Sequence, residues 1–245
     1  MGVDLSGFDH ILTFKEYVKG DCLHIGRQGL HYAGPWADRD GRKAAISNSM
    51  LKKHNIPFTA EETVVGGDGH IEKLFKMMGV NKVDSIDYSP YENATIIHDL
   101  NIPVPEELHN SYDYILDCGT IEHIFDVKTV INNIKNMLRV DGVFTIVTPC
   151  NNFPGHGFYQ FSPELFRTLF SEKAGYKTLG MYLYELNPGL NDFQKYEIPE
   201  PRKGDRQEFT TSNNQYYLGF ATKKIAHVDH SKFQQSDYVA IWGGE

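Results

Sequence analysis

The chain has 245 residues, a length that suits one large domain able to bury a core without disulfide or metal staples. A net charge of −8, with 40% hydrophobic and 23% charged residues, fits a soluble globular chain and argues against a broad nucleic-acid surface, which needs a basic face. Three cysteines with no CxxC pair argue against a disulfide framework or a structural zinc site; they fit a reducing, cytoplasmic setting, with Cys22, Cys118 and Cys150 as small buried residues.

Taken in order, residues 8–19 place Phe8, Ile11, Leu12, Phe14, Tyr17 and Val18 at helical spacing and predict an N-terminal helix. Cys22-Leu23-His24-Ile25 predicts a short strand ending at Gly26. In the GRQGLHYAG stretch that follows, Gly26, Gly29 and Gly34 allow tight bends or close approach of a ligand. Residues 35–70 read as an insertion or lid. Within them Ala44 to His54 predicts a short helix with Ile46, Met50 and Leu51 on one face, ended by Pro57. Gly66-Gly67-Asp68-Gly69 is a loop and not a P-loop, because no Lys-Ser/Thr follows.

His70 to Met78 predicts a helix that Gly79 caps. Val83 to Asp87 predicts a strand ending in an acid, and Tyr91 to Ala94 a helical turn. Ala94 to His98 predicts a strand ending at Asp99-Leu100-Asn101. Pro103 and Pro105 then hold an extended loop.

The stretch from Tyr112 to Pro149 carries the clearest pattern. Tyr114-Ile115-Leu116 reads as a buried parallel strand with its exit at Asp117-Cys118-Gly119. Val127, Val130, Ile131, Ile134 and Leu138 form one face of a helix. Asp141-Gly142 predicts a turn and Val143 to Val147 a second strand, so the stretch is one βαβ unit. Ligands of open α/β sheets sit at the carboxyl ends of strands. Here those ends carry Asp117, Glu122 and His123, then Asn151, Asn152 and His156.

Ser162-Pro163-Glu164 predicts a helix start with a capping serine, ended at Gly175. Tyr176 to Leu186 predicts a strand, residues 187–214 a long loop, and Gln215 to Thr222 a further strand. Residues 1–225 thus read as a single α/β domain and 226–245 as a polar tail. No stretch approaches the ~20 apolar residues of a membrane span, and the N-terminal residues lack the basic and apolar regions of a secretory signal.

The order of these pieces resembles the class I S-adenosylmethionine-dependent methyltransferases, in their small-molecule branch. Ser85-Ile86-Asp87-Tyr88-Ser89 looks like the end of the second strand, and His98-Asp99-Leu100 like the end of the third. Tyr112-Asp113-Tyr114-Ile115 with Ile121-Glu122-His123-Ile124 looks like the fourth strand and its Glu-His element. Leu138-Arg139-Val140-Asp141-Gly142 looks like the turn before the fifth. The resemblance implies a Rossmann-like, doubly wound, mostly parallel sheet of the seven-stranded type, with an insertion after the first strand.

It also implies S-adenosyl-L-methionine as cofactor, held by Gly26, Arg27, Gln28, Asp87, Tyr88, Asp99, Leu100, Asp117, Cys118 and Gly119. In the family's first loop glycines alternate. Here Gly26 matches the first, but Gln28 and Leu30 stand where the others belong. Either Arg27 or Gln28 takes over the methionine carboxylate, a charge-assisted contact in the case of Arg27, or cofactor binding is lost.

Methyl transfer to oxygen or nitrogen requires donor and acceptor in line and one proton managed. The candidate catalytic residues are His156, His123 and Glu122, with either histidine as general base by its near-neutral reference pKa; for His123 a structural role is the competing reading. Asp117, Glu122, His123 and His156 also offer ligands to a divalent ion, but the spacing matches no dedicated motif, so no metal ligand is assigned. Phe153, Phe158, Tyr159 and Phe161 cluster after the fifth strand as packing or as the wall of a substrate pocket.

The GHGFYQFSPE stretch resembles methyltransferase-like proteins of capsule and surface-polysaccharide biosynthesis. The expected activity is O-methylation of a small or nucleotide-sugar acceptor, with no nucleic-acid or membrane partner and a homodimer left open. The alternative is a non-catalytic binding or scaffolding protein of the same fold that has lost its cofactor.

Overall fold

Each central strand alternates its apolar side chains between two separate cores. In the computed structural model, which describes residues 2–35, 37–187, 189, 192–201, 206–229 and 233–242, this alternation organises the chain. In order the elements are β1 (Gly2–Val3), α1 (Leu5–Thr13), β2 (Asp21–Ile25), β3 (Gly29–Leu30), α2 (Arg42–Lys53), α3 (Ala60–Val64) and α4 (Glu72–Met77). There follow β4 (Lys82–Asp87), β5 (Ile96–Ile97), β6 (Tyr112–Cys118), α5 (Val127–Met137), β7 (Leu138–Asn151) and α6 (Pro163–Leu169). The last are β8 (Tyr176–Asn187), β9 (Asp192–Glu197), β10 (Tyr216–Lys224) and α7 (Ser236–Ile241).

The main sheet runs β5-β4-β2-β6-β7-β10-β8-β9. From β5 to β7 every pairing is parallel, and the last three strands join antiparallel. The chain winds outward from β2 to one edge, returns to β6 and winds the other way. That is the doubly wound, Rossmann-like architecture, with its switch point between β2 and β6. An eighth strand extends the expected seven.

One face of the sheet turns Cys22, Tyr114, Leu116, Val143 and Val147 toward α1, α2, α3 and α4. The other turns Leu23, Ile115, Phe144 and Ile146 toward α5 and α6. This is the period-two geometry of a strand. On α5, Val130, Ile131, Ile134 and Met137 are buried, each contributing about 1.5–3 kcal/mol. The Asp126 side chain caps α5 by accepting from Thr129 N, and buried Lys224 closes its other end by donating to the Lys135 and Leu138 carbonyls at 2.8 and 2.7 Å. Residues 42–64 do not stand apart from this arrangement: Leu51 and Ala60 join the same core as Phe8 and Leu12 of α1.

Several expectations need correction. The loop expected at 187–214 contains β9, an edge strand antiparallel to β8; its Pro188 lies outside the described residues. Its exposure alternates weakly, so it leaves little apolar signature. Asp141-Gly142 does not end a helix–strand turn but bulges within β7, with Asp141 at φ 69° and a register jump between Tyr112↔Leu138 and Tyr114↔Val143. Ser162 precedes α6 in extended conformation but makes no side-chain cap bond, so Pro163 marks that helix start alone. The N-terminal helix begins earlier than expected, at Leu5, because Asp4 caps it by accepting from Gly7 N. The tail at 226–245 contains α7, and its residues 230–232 and 243–245 lie outside the described residues. Among the described residues no helix is long and apolar enough to cross a membrane.

Candidate functional site

The carboxyl ends of β2, β4, β5, β6 and β7 lie side by side, and every residue predicted from the sequence to act lies at one of them. They fall into two groups, one on each side of the switch point.

On the first side the chain leaves β2 through Gly26, at φ 66°, a left-handed conformation that glycine adopts freely. A Cβ there would meet Thr120 Oγ1 at 2.5 Å, so the loop after β6 packs directly on this glycine. Gln28 is buried, and its Nε2 donates to the Ile25 carbonyl at 2.6 Å and to Thr120 Oγ1 at 2.9 Å. Gln28 and Thr120 thus bridge the exits of β2 and β6, where the crevice of such a sheet would lie. Nothing in the sequence marks Thr120, because the glycine it faces is distant in the chain.

Arg27 reaches away from that crevice. Its Nε donates to Glu72 at 2.8 Å, one terminal nitrogen donates to the Glu92 carbonyl at 2.6 Å and the other pairs with Asp68. Burial pushes the Glu72 carboxyl upward, but hydrogen bonds and charge from His24 and Arg27 outweigh it and hold the group at about 2. The Arg27 guanidinium is therefore taken up by the protein's own acceptors.

Asp87 stands at the exit of β4, half-buried. One of its oxygens accepts from Arg27 N at 3.2 Å and the other from Ser89 N at 3.3 Å. Each carboxylate oxygen has a second lone pair. Tyr88 beside it is 74% exposed. Asp99, at the exit of β5, accepts from the backbone and side chain of Asn101, and Leu100 is buried in the core.

On the second side lie the exits of β6 and β7. Asp117 is fully buried, and its oxygens accept from Thr120 N at 3.1 Å and Ile121 N at 3.5 Å. Burial, then the charge of Glu122, pushes its carboxyl well above the usual range. Cys118 is buried, and Gly119 turns the chain at φ 82°. A single turn of 3-10 helix, Ile121–His123, follows and sends Glu122 inward while His123 stays at the surface.

Glu122 Oε1 is the centre of this side. It lies 3.5 Å from His156 Nε2 and 3.9 Å from His123 Nε2. The glutamate side chain is fully buried, while the imidazoles of His123 and His156 are 38% and 41% exposed. Thr148 Oγ1 donates to Glu122 Oε2 at 3.2 Å, but Oε1 has no hydrogen-bond partner among the described residues. Burial pushes the Glu122 carboxyl up to about 7, against the Thr148 hydrogen bond. Burial, and then neighbouring His156, lowers His123.

The three residues proposed as catalytic are thus brought together, although His156 comes from a different loop. Phe158 N and Tyr159 N donate to the Glu122 carbonyl at 2.7 and 3.3 Å, which fastens that loop in place. A cavity of about 60 Å³ adjoins, lined by Gly7, Cys118, Gly119, Glu122, His156 and Tyr217 among others. Phe125 and Phe158 stand outside it, 70% and 65% exposed, with ring centroids 5.8 Å apart.

No protein-family model matches the chain, and no curated protein matches it. Solved structures that superpose on it include proteins described as methyltransferases. A Bacillus halodurans C-125 protein provisionally described as a methyltransferase shares 10% identity over 92% of this chain and 100% of its own, with a TM-score of 0.48. The 1,6-didemethyltoxoflavin-N1-methyltransferase of Burkholderia thailandensis, with 1,6-didemethyltoxoflavin and S-adenosylhomocysteine bound, shares 15% over 91% of this chain and 78% of its own, at 0.43. A SAM-dependent methyltransferase of Aquifex aeolicus shares 14% over 88% and 90%, at 0.40. At these identities and scores the likeness adds nothing to the strand order already described.

Proposed function

We propose that the chain is an S-adenosylmethionine-dependent methyltransferase that O-methylates a small, carbohydrate-like acceptor. The convergence of Glu122, His123 and His156 at the exits of β6 and β7 carries this reading. It supplies proton-handling groups at the sheet edge where a Rossmann-like fold receives its ligands.

The chain fits the cofactor at one end. Asp87 offers free lone pairs to the ribose diol beside exposed Tyr88. At the methionine end, the Gln28–Thr120 pair bridges the crevice and must give way. When bound, the cofactor supplies an electrophilic methyl group on a sulfonium. His156, oriented by Glu122, accepts the proton of the acceptor hydroxyl. Phe125 and Phe158 offer flat apolar faces on which a sugar ring stacks. A nucleotide-linked sugar or surface-polysaccharide precursor suits such a wall, in a cytoplasmic setting that keeps the three cysteines free. Residues 1–225 work as one unit, with 35–70 as an insertion in it.

The bridged crevice favours a second reading, a non-catalytic protein of this fold that no longer binds the cofactor. Calorimetry with S-adenosylmethionine and S-adenosylhomocysteine separates the two. The first reading expects binding by the wild type and a loss of about 10–100-fold in Asp87→Ala, the worth of hydrogen bonds to a charged group. Folded protein that binds neither compound establishes the second.

A further inference from the structure

We infer that Glu122, His123 and His156 form a site for one divalent transition cation of the zinc class. The Oε1 of Glu122 and a ring nitrogen of each histidine all lie within 4.8 Å of one another. A tetrahedral zinc-class ion bonds nitrogen and oxygen at about 2.0–2.2 Å, which sets two of its ligands about 3.3–3.6 Å apart. The 3.5 and 3.9 Å separations from Glu122 Oε1 are close to that, and small rotations of two half-exposed imidazoles close the gap. Two imidazoles with one carboxylate suit zinc, manganese or iron better than magnesium, which prefers an all-oxygen shell.

An independent observation points to a ligand at the same place. Glu122 Oε1 is buried and has no hydrogen-bond partner among the described residues. Leaving a carboxylate oxygen in that state is costly, and a cation at the focus of the three side chains removes the cost. The surrounding structure holds the ligands as a metal site requires. Thr148 fixes the second oxygen of Glu122, an outer-shell contact that orients the first.

The loop carrying His156 is pinned to the Glu122 backbone at Gly157, at φ 69°, where a Cβ would meet the Glu122 carbonyl oxygen at 2.7 Å. Asp117 is no ligand, because its oxygens accept from the amides of Thr120 and Ile121. The adjoining cavity of about 60 Å³ leaves the ion an open side for water or an acceptor oxygen. Binding of the ion does not depend on the methyl-transfer reading; only its use, to hold and polarise the acceptor oxygen, rests on it, and with the ion bound His156 is a ligand rather than the acceptor of that proton.

The test uses untagged full-length chain stripped with a chelator, with zinc titrated against a chromophoric competitor and manganese followed by electron paramagnetic resonance. One ion per chain is expected. His123→Ala and His156→Ala should each weaken zinc by about tenfold or more, Gly157→Ala should weaken it as well, and His227→Ala should leave it unchanged. Glu122→Gln should behave like the histidine variants; because Glu122 is buried, the two surface histidines carry the result if that variant misfolds. Substoichiometric binding of zinc and manganese alike, or unchanged affinity in both folded histidine variants, overturns the site. S-adenosylhomocysteine calorimetry on the same samples keeps the two questions apart: metal binding without cofactor binding sinks the methyl-transfer reading alone, and cofactor binding without metal sinks this one alone.

Discussion

The two sides of the switch point are built alike and finished differently. Both are loops leaving parallel strands, both turn on a left-handed glycine and both carry charged side chains. At the exits of β2 and β4 the chain meets itself. Arg27 is shared among Glu72, Asp68 and a carbonyl, and Thr120 lies on Gly26 and accepts from Gln28. At the exits of β6 and β7 Glu122 Oε1 has no donor among the described residues, and two imidazoles stand half-open to solvent around it. Both sides keep buried acceptors without a hydrogen-bond donor among the described residues, Gln28 Oε1 and Glu72 Oε2 on the first and Glu122 Oε1 on the second, but only Glu122 Oε1 faces two half-exposed imidazoles that a ligand can reach. Chemistry is therefore expected on the β6–β7 side, and the difficulty of cofactor entry on the β2–β4 side.

The largest expected effect tests the open side. If His156 takes the acceptor's proton, His156→Ala lowers methyl transfer by about 10²–10⁴-fold while S-adenosylhomocysteine affinity, read by calorimetry, stays put. An equal fall in both quantities would break the comparison, since it would place His156 among the cofactor contacts.

The next effect belongs to neither side and must be separated from both. His10 is fully buried, donates from Nε2 to the Phe220 carbonyl at 3.1 Å and lies 3.2 Å from the Tyr184 hydroxyl. Burial lowers its pKa to about 4 against the hydrogen bond to Phe220, which raises it. The unfolded chain then binds a proton below about pH 6.5 that the folded chain refuses. Stability is full above that value and falls as pH drops toward 4, by about 3 kcal/mol in all. Urea melts across this range should show the slope, and His10→Gln should flatten it. Activity lost in step with this slope reports unfolding rather than a titrating exit residue.

The smallest effect tests the closed side. Gln28→Ala removes the side chain that spans the crevice, and S-adenosylhomocysteine affinity should rise a few-fold. A fall instead would mean that Gln28 holds the cofactor, as its position in the glycine loop suggests, and the contrast between the two sides would lose its steric half.

Much of this contrast is legible in the amino-acid sequence. β6 and β7 announce themselves because strands buried on both faces read as near-continuous apolar runs, whereas β2 and β4 carry shorter apolar stretches interrupted at His24 and at Asp84-Ser85. Their order places Asp87, Asp117, Glu122, His123 and His156 at strand exits. β1 and β9 leave no such trace. One has two residues and the other lies at the sheet edge, where alternation is shallow. The Asp4 cap of α1 is written in the sequence but hidden ahead of the apolar pattern that places the helix.

Local apolar period and strand length therefore settle the central βαβ unit and the roster of polar groups at its strand exits, while the doubly wound order was legible only through the family resemblance. Only the tertiary structure decided which of those groups meet. Arg27 finds partners in Glu72 and Asp68, Thr120 lands on Gly26, Thr148 supports Glu122, and Gly157 lets the His156 loop close on the Glu122 carbonyl. Such contacts join residues far apart in the chain, and hydrogen-bond distance is fixed by the packing of whole strands and loops rather than by the spacing of letters.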